Sequence, residues 1–426
     1  MFTFSSSFMF DFELTRLLGS ASSGGCDVGE FKSAVGKIKK DDPESWSVAW
    51  KEQAERAQRI GDQAAKAGYR LLARNAYLRA SNYFRVTPYM FSNDDARVVP
   101  LIEQSISSFK KAAVLMDGEV ICVEIPYEKG ITLPGYLFLP PSYARLPGKV
   151  PIVMYAAGAD STKEELYFLY GHTGPQLGYA VLCLEGPGQG LLLKKSKVPL
   201  RPDFEVVAEK IVEFLDNLSE SRPTLELDTG RLAMAGAATG GYFALRAATN
   251  PRVKACISID PFFSLWELCL SRAPKAFFKL WDSGWVPDST FDTFTDVHGR
   301  GNFQSGWEIN LGRSSMGAEK PTAMFRRFKD FTLEPAAGEV PILDKIRCAV
   351  FLTGPGAGQD MYSSAEESTF KIHRLLSNVP DSNKEVWVPT DVAEGGLTAK
   401  IGAWALLAQK TFEFLDKHFD IKRPEL

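Results

Sequence analysis

The feature that most constrains the fold is a series of short apolar runs separated by helix-like or loop segments. "VPIVMYAAG", "AVLCLEG", "RLAMAGAA", "VKACISID" and "CAVFLTGPG" are β-rich and too short for ordinary helices. Strands apolar on both faces belong in a mostly parallel sheet covered by helices on either side. "KEVWVPTD" reads as the last strand and "IGAWALLAQKTFEFLDKHF" as a closing helix. Ahead of the series, "EVICVEIPYEKGITLPGYLFLPP" reads as two strands around a turn at Lys129 and Gly130.

The residues before this sheet have another character. From about 44 to 117, apolar and small residues recur at threes and fours, the spacing of amphipathic helices. Asp94 or Asp95 is the expected cap of the helix in "DDARVVPLIEQSISSFKKAAVLM". The opening "MFTFSSSFMF" is apolar but has no positive flank, and Asp11 and Glu13 follow at once. It is expected to be neither signal peptide nor membrane span, but an arm packed on a partner subunit. One stretch interrupts the alternation: some 75 residues after Pro261, rich in Phe and Trp, with no clear strand. An insertion of that length between core strands is expected to be a lid or binding element. Trp281 and Trp307 are its candidate substrate contacts. The expected division is a helical domain over 1–117, a core over 118–260 and 336–426, and a lid over 261–335.

"RLAMAGAATGGYFALRAA" carries the strongest local signal. A strand, a turn of small residues and the start of a helix form the frame of a nucleophile elbow, G-x-S-x-G. Here the frame is Gly236-Ala237-Ala238-Thr239-Gly240, with a methyl group where the nucleophile belongs. The oxyanion donors of such a site are backbone amides, expected from the Ala159 and Asp160 region and from Thr239. Asp160 is also expected to cap the helix after it. Asp360, just beyond a strand late in the chain, stands where the acid of a Ser-Asp-His order falls; Asp260 is its competitor. "GPGQG" lacks the spacing of a dinucleotide or phosphate loop and reads as a structural turn. No histidine follows the last strand; the four are His172, His298, His373 and His418.

"ARNAYLRASNYFR", "VEIPYEKGITLPGYLF", "GADSTKEEL", "EGPGQG", the elbow frame and "AEGGLTAKIGAW" resemble one group of α/β-hydrolases. The group contains the fungal yellowish-green pigment hydrolases, which shorten polyketides by C–C cleavage, and bacterial 2,6-dihydroxypseudooxynicotine hydrolase. The likeness runs from about residue 45 to 420. It implies an α/β-hydrolase fold with a helical N-terminal domain, a helical lid, a cleft between them and a homodimer. It also implies serine at the place of Ala238 and, counting E-G-x-x-x-H from Glu394, histidine at the place of Ala399.

The net charge of −3 and the lack of a basic run point away from nucleic acid. Six cysteines carry no C-x-x-C pair, and Cys183, Cys256 and Cys348 lie in apolar runs as buried free thiols. That suits the cytoplasm. No metal or cofactor is expected. The expected activity is non-hydrolytic: a cyclase, pericyclase or C–C lyase acting on a largely apolar, polyketide-like molecule. Two alternatives stand beside it. One is a C–C or ester hydrolase with inactivating substitutions or a substitute base such as His172; the other is a small-molecule binding protein.

Overall fold

A computed structural model describes residues 2–128, 130–335, 338–357 and 364–424. Five helices come first: α1 (Phe8–Gly19), α2 (Val28–Val35), α3 (Pro43–Lys66), α4 (Arg70–Val86) and α5 (Val98–Ala113). Asp42 starts α3 by accepting from the amides of Glu44 at 3.1 Å and Ser45 at 3.2 Å, with Pro43 in the first turn. The buried face of α3 runs Trp46, Trp50, Ala54, Ala57, Gly61 and Ala64, the expected spacing.

The apolar opening is packed in part within this chain: Met9 and Phe10 are buried, whereas Phe2 and Phe8 are exposed. It enters α1, whose Phe10, Leu14 and Leu17 are fully buried within the chain's own helical core, Phe10 lying 4.8 Å from Trp46 between ring centroids. Each such side chain contributes about 2 kcal/mol by leaving water, so no partner is needed to cover them. Neither Asp94 nor Asp95 caps α5: Arg97 holds that position, and the Asp95 carboxylate binds the amide and guanidinium of Arg97.

The sheet has eight strands: β1 (Val120–Pro126), β2 (Thr132–Phe138), β3 (Val150–Ala156), β4 (Ala180–Leu184), β5 (Leu227–Ala237), β6 (Val253–Ile259), β7 (Ala349–Thr353) and β8 (Lys384–Trp387). Their order is β1-β2-β4-β3-β5-β6-β7-β8. The joints β1/β2 and β2/β4 are antiparallel and the rest parallel. Alternate residues face opposite cores: Ile152, Met154, Leu232 and Met234 pack on one side, Val153, Tyr155, Ala233 and Ala235 on the other.

Between strands lie α6 (Lys163–Leu166), joined by a π turn to α7 (His172–Gln176), then α8 (Gly190–Ser196), α9 (Glu205–Ser221) and α10 (Thr239–Ala247). The long insertion after β6 is wholly helical: α11 (Leu265–Arg272), α12 (Lys275–Asp282), α13 (Asp288–Gly301), α14 (Phe303–Met316) and α15 (Pro321–Phe328). Its two ends are tied together, the Leu265 amide to the Phe331 carbonyl and the Leu333 amide to the Phe263 carbonyl, both at 2.9 Å. The chain closes with α16 (Lys371–Leu375) and α17 (Trp404–His418). Among the described residues no helix is long and apolar enough to cross a membrane.

"GPGQG" is the structural turn expected. Gln189 folds back to accept from the Gly186 amide at 2.5 Å and to donate to the Ala157 carbonyl at 2.6 Å. All six cysteines are free; Cys183 and Cys256 are buried as expected, whereas Cys348 sits one residue before β7 and is only half-buried.

Candidate active site

β5 ends at Ala237 and α10 begins at Thr239, leaving Ala238 alone on the turn with φ 52° and ψ −112°. The flanking glycines are fixed by close approach. A Cβ on Gly236 would meet the Gly240 carbonyl oxygen at 2.0 Å, and one on Gly241 would meet that of Ile259 at 2.7 Å. The small residues therefore serve the contact of helix on sheet, which persists whether or not position 238 bears a nucleophile. A non-glycine residue at such angles costs about 1–3 kcal/mol. Ala238→Gly should raise stability by roughly 1 kcal/mol, since relief of strain outweighs the added backbone freedom of glycine. A lower thermal midpoint for this variant would show that the turn is unstrained.

Asp260, with φ 48°, ends β6 in the neighbouring parallel strand. Its buried carboxylate is fully committed. Oδ1 accepts from Thr353 Oγ1 at 2.5 Å and from Lys400 Nζ at 2.9 Å; Oδ2 accepts from the Ala399 amide at 2.7 Å. Lys400 is also buried, and its ammonium donates to the Gly354 carbonyl at 2.8 Å. Ala399 stands on a left-handed turn at φ 54° and lines, with Ala237, Ala238 and Trp404, a small hollow of about 60 Å³. The positions of the two missing side chains thus face a common space. Asp360 lies outside the described residues.

On the other side of Ala238 an apolar cavity of about 270 Å³ lies beneath the inserted helices. Ala159, Ala238, Thr239 and Asp260 form its floor, and Leu268, Phe278, Met324 and Phe325 contribute to its walls. Thr239 is the first residue of α10, so its amide belongs to the helix start, where N–H groups lack intrahelical partners. Ala159 and Thr239 both line this cavity.

Asp160 does not cap the next helix; Thr162 holds that position without a side-chain bond. Instead the Asp160 carboxylate binds Arg16 of α1 at 2.7 Å and the Tyr89 hydroxyl at 2.6 Å. Burial pushes its pKa up, but the Arg16 charge and the Tyr89 hydrogen bond outweigh that and hold it below the ordinary range. Arg16 also reaches Ser161 and Glu165, which ties the first helix to the oxyanion loop.

The remaining candidates divide. Trp307 lines the cavity and donates its Nε1–H to the Tyr89 carbonyl at 2.7 Å, joining the inserted helices to the N-terminal ones. Trp281 is not a cavity residue: it is buried inside the insertion, stacked on Phe291 at 4.1 Å and bonded to Asp288. His172 is also away from the floor, with Nδ1 3.3 Å from the Tyr167 hydroxyl; burial first, then Arg74, lowers its pKa. Of the four histidines only His298 lines the cavity, with Nε2 3.2 Å from Ser305 Oγ.

Comparison with known proteins fits this geometry. Residues 41–279, more than half of the chain, match the model of the FrsA-like esterases. The α/β hydrolase xenA of Xenoacremonium sinensis is 79% identical over the full length of both chains. The α/β hydrolase gkaG of Penicillium citrinum is 69% identical over 100% of this chain and 99% of its own. The chain belongs to the FrsA-like esterase family of α/β hydrolases. The solved 2,6-dihydroxy-pseudo-oxynicotine hydrolase shares the fold, with a TM-score of 0.68 at 19% identity over 95% of each chain. Sequence reading of this α/β hydrolase missed the Lys400–Asp260 pair and the reach of Arg16. The lysine directly follows the histidine position and was the one available signal.

Proposed function

We propose that this α/β hydrolase is a non-hydrolytic enzyme of fungal secondary metabolism, binding a largely apolar, polyketide-like molecule and directing its cyclisation or C–C bond cleavage. One observation carries the reading. The elbow presents the methyl of Ala238, alanine also stands at position 399, and Asp260, the competing candidate for the acid, is held by Lys400 and a backbone amide. Acyl transfer needs a nucleophile and a base that accepts its proton, and the alanines at 238 and 399 can serve as neither.

What remains supports orientation and charge stabilisation. An apolar cavity lined at one end by Ala159 and by Thr239, the first residue of a helix, can hold a flexible chain in a reactive geometry. A single oxyanion donor is worth about 3 kcal/mol to a developing enolate. The free thiols of Cys183 and Cys256 support placement in a reducing cytoplasm. The homodimer expected from the resemblance is part of the same proposal, and light scattering in solution checks it.

The His298–Ser305 contact favours a second reading, in which a hydroxyl on the inserted helices acts as a relocated nucleophile. Relatives named hydrolases and hydrolyases make it worth separating. Treatment with a fluorophosphonate, followed by peptide mapping, is expected to label no serine, and p-nitrophenyl esters should give no burst. Stoichiometric labelling of Ser305 would overturn the non-hydrolytic reading in favour of this one.

A further inference from the structure

A second cavity, about 370 Å³, lies between the N-terminal helices and the insertion. Trp307 and Leu311 line both it and the apolar cavity, so the two adjoin at these side chains. Its chemistry is different. Lys194 of α8 and Arg300 of α13 line it, and among the described residues neither has a hydrogen-bond or ion-pair partner. Thr162, only 3% exposed, leaves its hydroxyl without a partner there, and the buried Nδ2 of Asn93 is likewise unsatisfied.

The charged side chains that line this cavity are Arg85, Lys194 and Arg300 against Asp41 and Asp160, an excess of one cation. Arg16 holds Asp160 at 2.7 Å and is shared with Glu13 and Glu165, while Arg85 holds Glu13 at 2.9 Å. Asp41 holds the Ser7 hydroxyl, which leaves Lys194 and Arg300 as the lining cations with no carboxylate on them among the described residues. Burial draws the Lys194 pKa below the ordinary lysine value, with Glu185 and Asp160 only partly opposing. Buried donors without acceptors are costly and uncommon in folded proteins; here the Thr162 hydroxyl and the Asn93 amide are two such groups, and they line the same space as the half-buried Lys194. An anionic oxygen would satisfy them together.

We propose that this second cavity is a subsite for the anionic, oxygen-bearing end of the substrate, a carboxylate or enolate bound by Lys194, Thr162 and Asn93. The apolar remainder of the molecule lies past Trp307 over Ala238. The subsite rests on the reading of the apolar cavity as the substrate site, but not on whether the chemistry there is hydrolytic. It gives the cleft a direction: one end of the chain is fixed by charge, and the reacting carbons are set over the elbow.

Calorimetric titration of the full chain with octanoate and with octan-1-ol tests this. The tail is the same and only the head differs. The wild type should bind octanoate about tenfold more tightly than octan-1-ol, as a charge-assisted hydrogen bond provides. Lys194→Met should abolish that preference while leaving octan-1-ol binding and the thermal midpoint unchanged or raised, because it removes an unpaired cation. Lys194→Glu should reverse the preference toward octylammonium. Equal binding of the two probes by the wild type, no saturable octanoate binding, or an octanoate preference that survives Lys194→Met would each overturn the subsite. Serine labelling by a fluorophosphonate would instead overturn the non-hydrolytic reading, so the two failures are separate.

Discussion

Lys400→Met is expected to lower the stability of the folded protein by about 3–5 kcal/mol, the cost of leaving a buried carboxylate without its counter-charge. Lys400 has no solvent exposure and Asp260 is 2% exposed. Without the ammonium, Asp260 keeps only Thr353 and the Ala399 amide, too little to replace its lost hydration. The pair also spans the fold, joining the end of β6 to the loop after β8. Combining Lys400→Met with Asp260→Asn should recover most of the loss, since an amide at 260 tolerates an apolar neighbour far better than a carboxylate does. Urea unfolding with an unchanged slope measures both variants. A single-variant loss under 1 kcal/mol would mean that water already solvates the pair. Lys400, the residue after Ala399, is thus the buried cation that holds Asp260.

Ala238→Leu should abolish binding of octan-1-ol and of octanoate alike. Ala238 lines both the apolar cavity and the hollow it shares with Ala399, so a branched side chain there projects into the floor. The turn gives it little room to move away, because Gly236 and Gly241 are already at closest approach to neighbouring backbone. Stability should fall by only about 1–3 kcal/mol, the usual cost of overpacking. Titration calorimetry on the folded variant checks this. Retained binding at wild-type affinity would place the ligand elsewhere and remove the elbow from the function.

Ala238→Ser with Ala399→His bears on the same floor. A new imidazole at 399 would have to compete with Lys400 for Asp260, which already has three donors on its carboxylate. Restoring the two residues therefore does not by itself recruit Asp260 as their acid.

The sequence by itself determined the sheet, its order of strands and helices, and the emptied elbow. These are local properties: apolar runs of strand length, helical periodicity, and small residues at 236, 240 and 241 whose need follows from the turn alone. The resemblance to the α/β-hydrolase group, counted from Glu394, pointed to Ala399 as the histidine position, and the fold brings Ala399 to the same hollow as Ala238. Only the tertiary structure decided which charged groups meet. Arg16 reaches Asp160 across 144 residues and Lys400 reaches Asp260 across 140. No periodicity records such pairs, since burial of an ion depends on which distant partner arrives. The same holds for the histidines and tryptophans. His298 and Trp307 line the cavity, whereas His172 and Trp281 pack away from it. Composition treats the members of each pair alike, and it is the packing of α11 to α15 over the sheet that separates them.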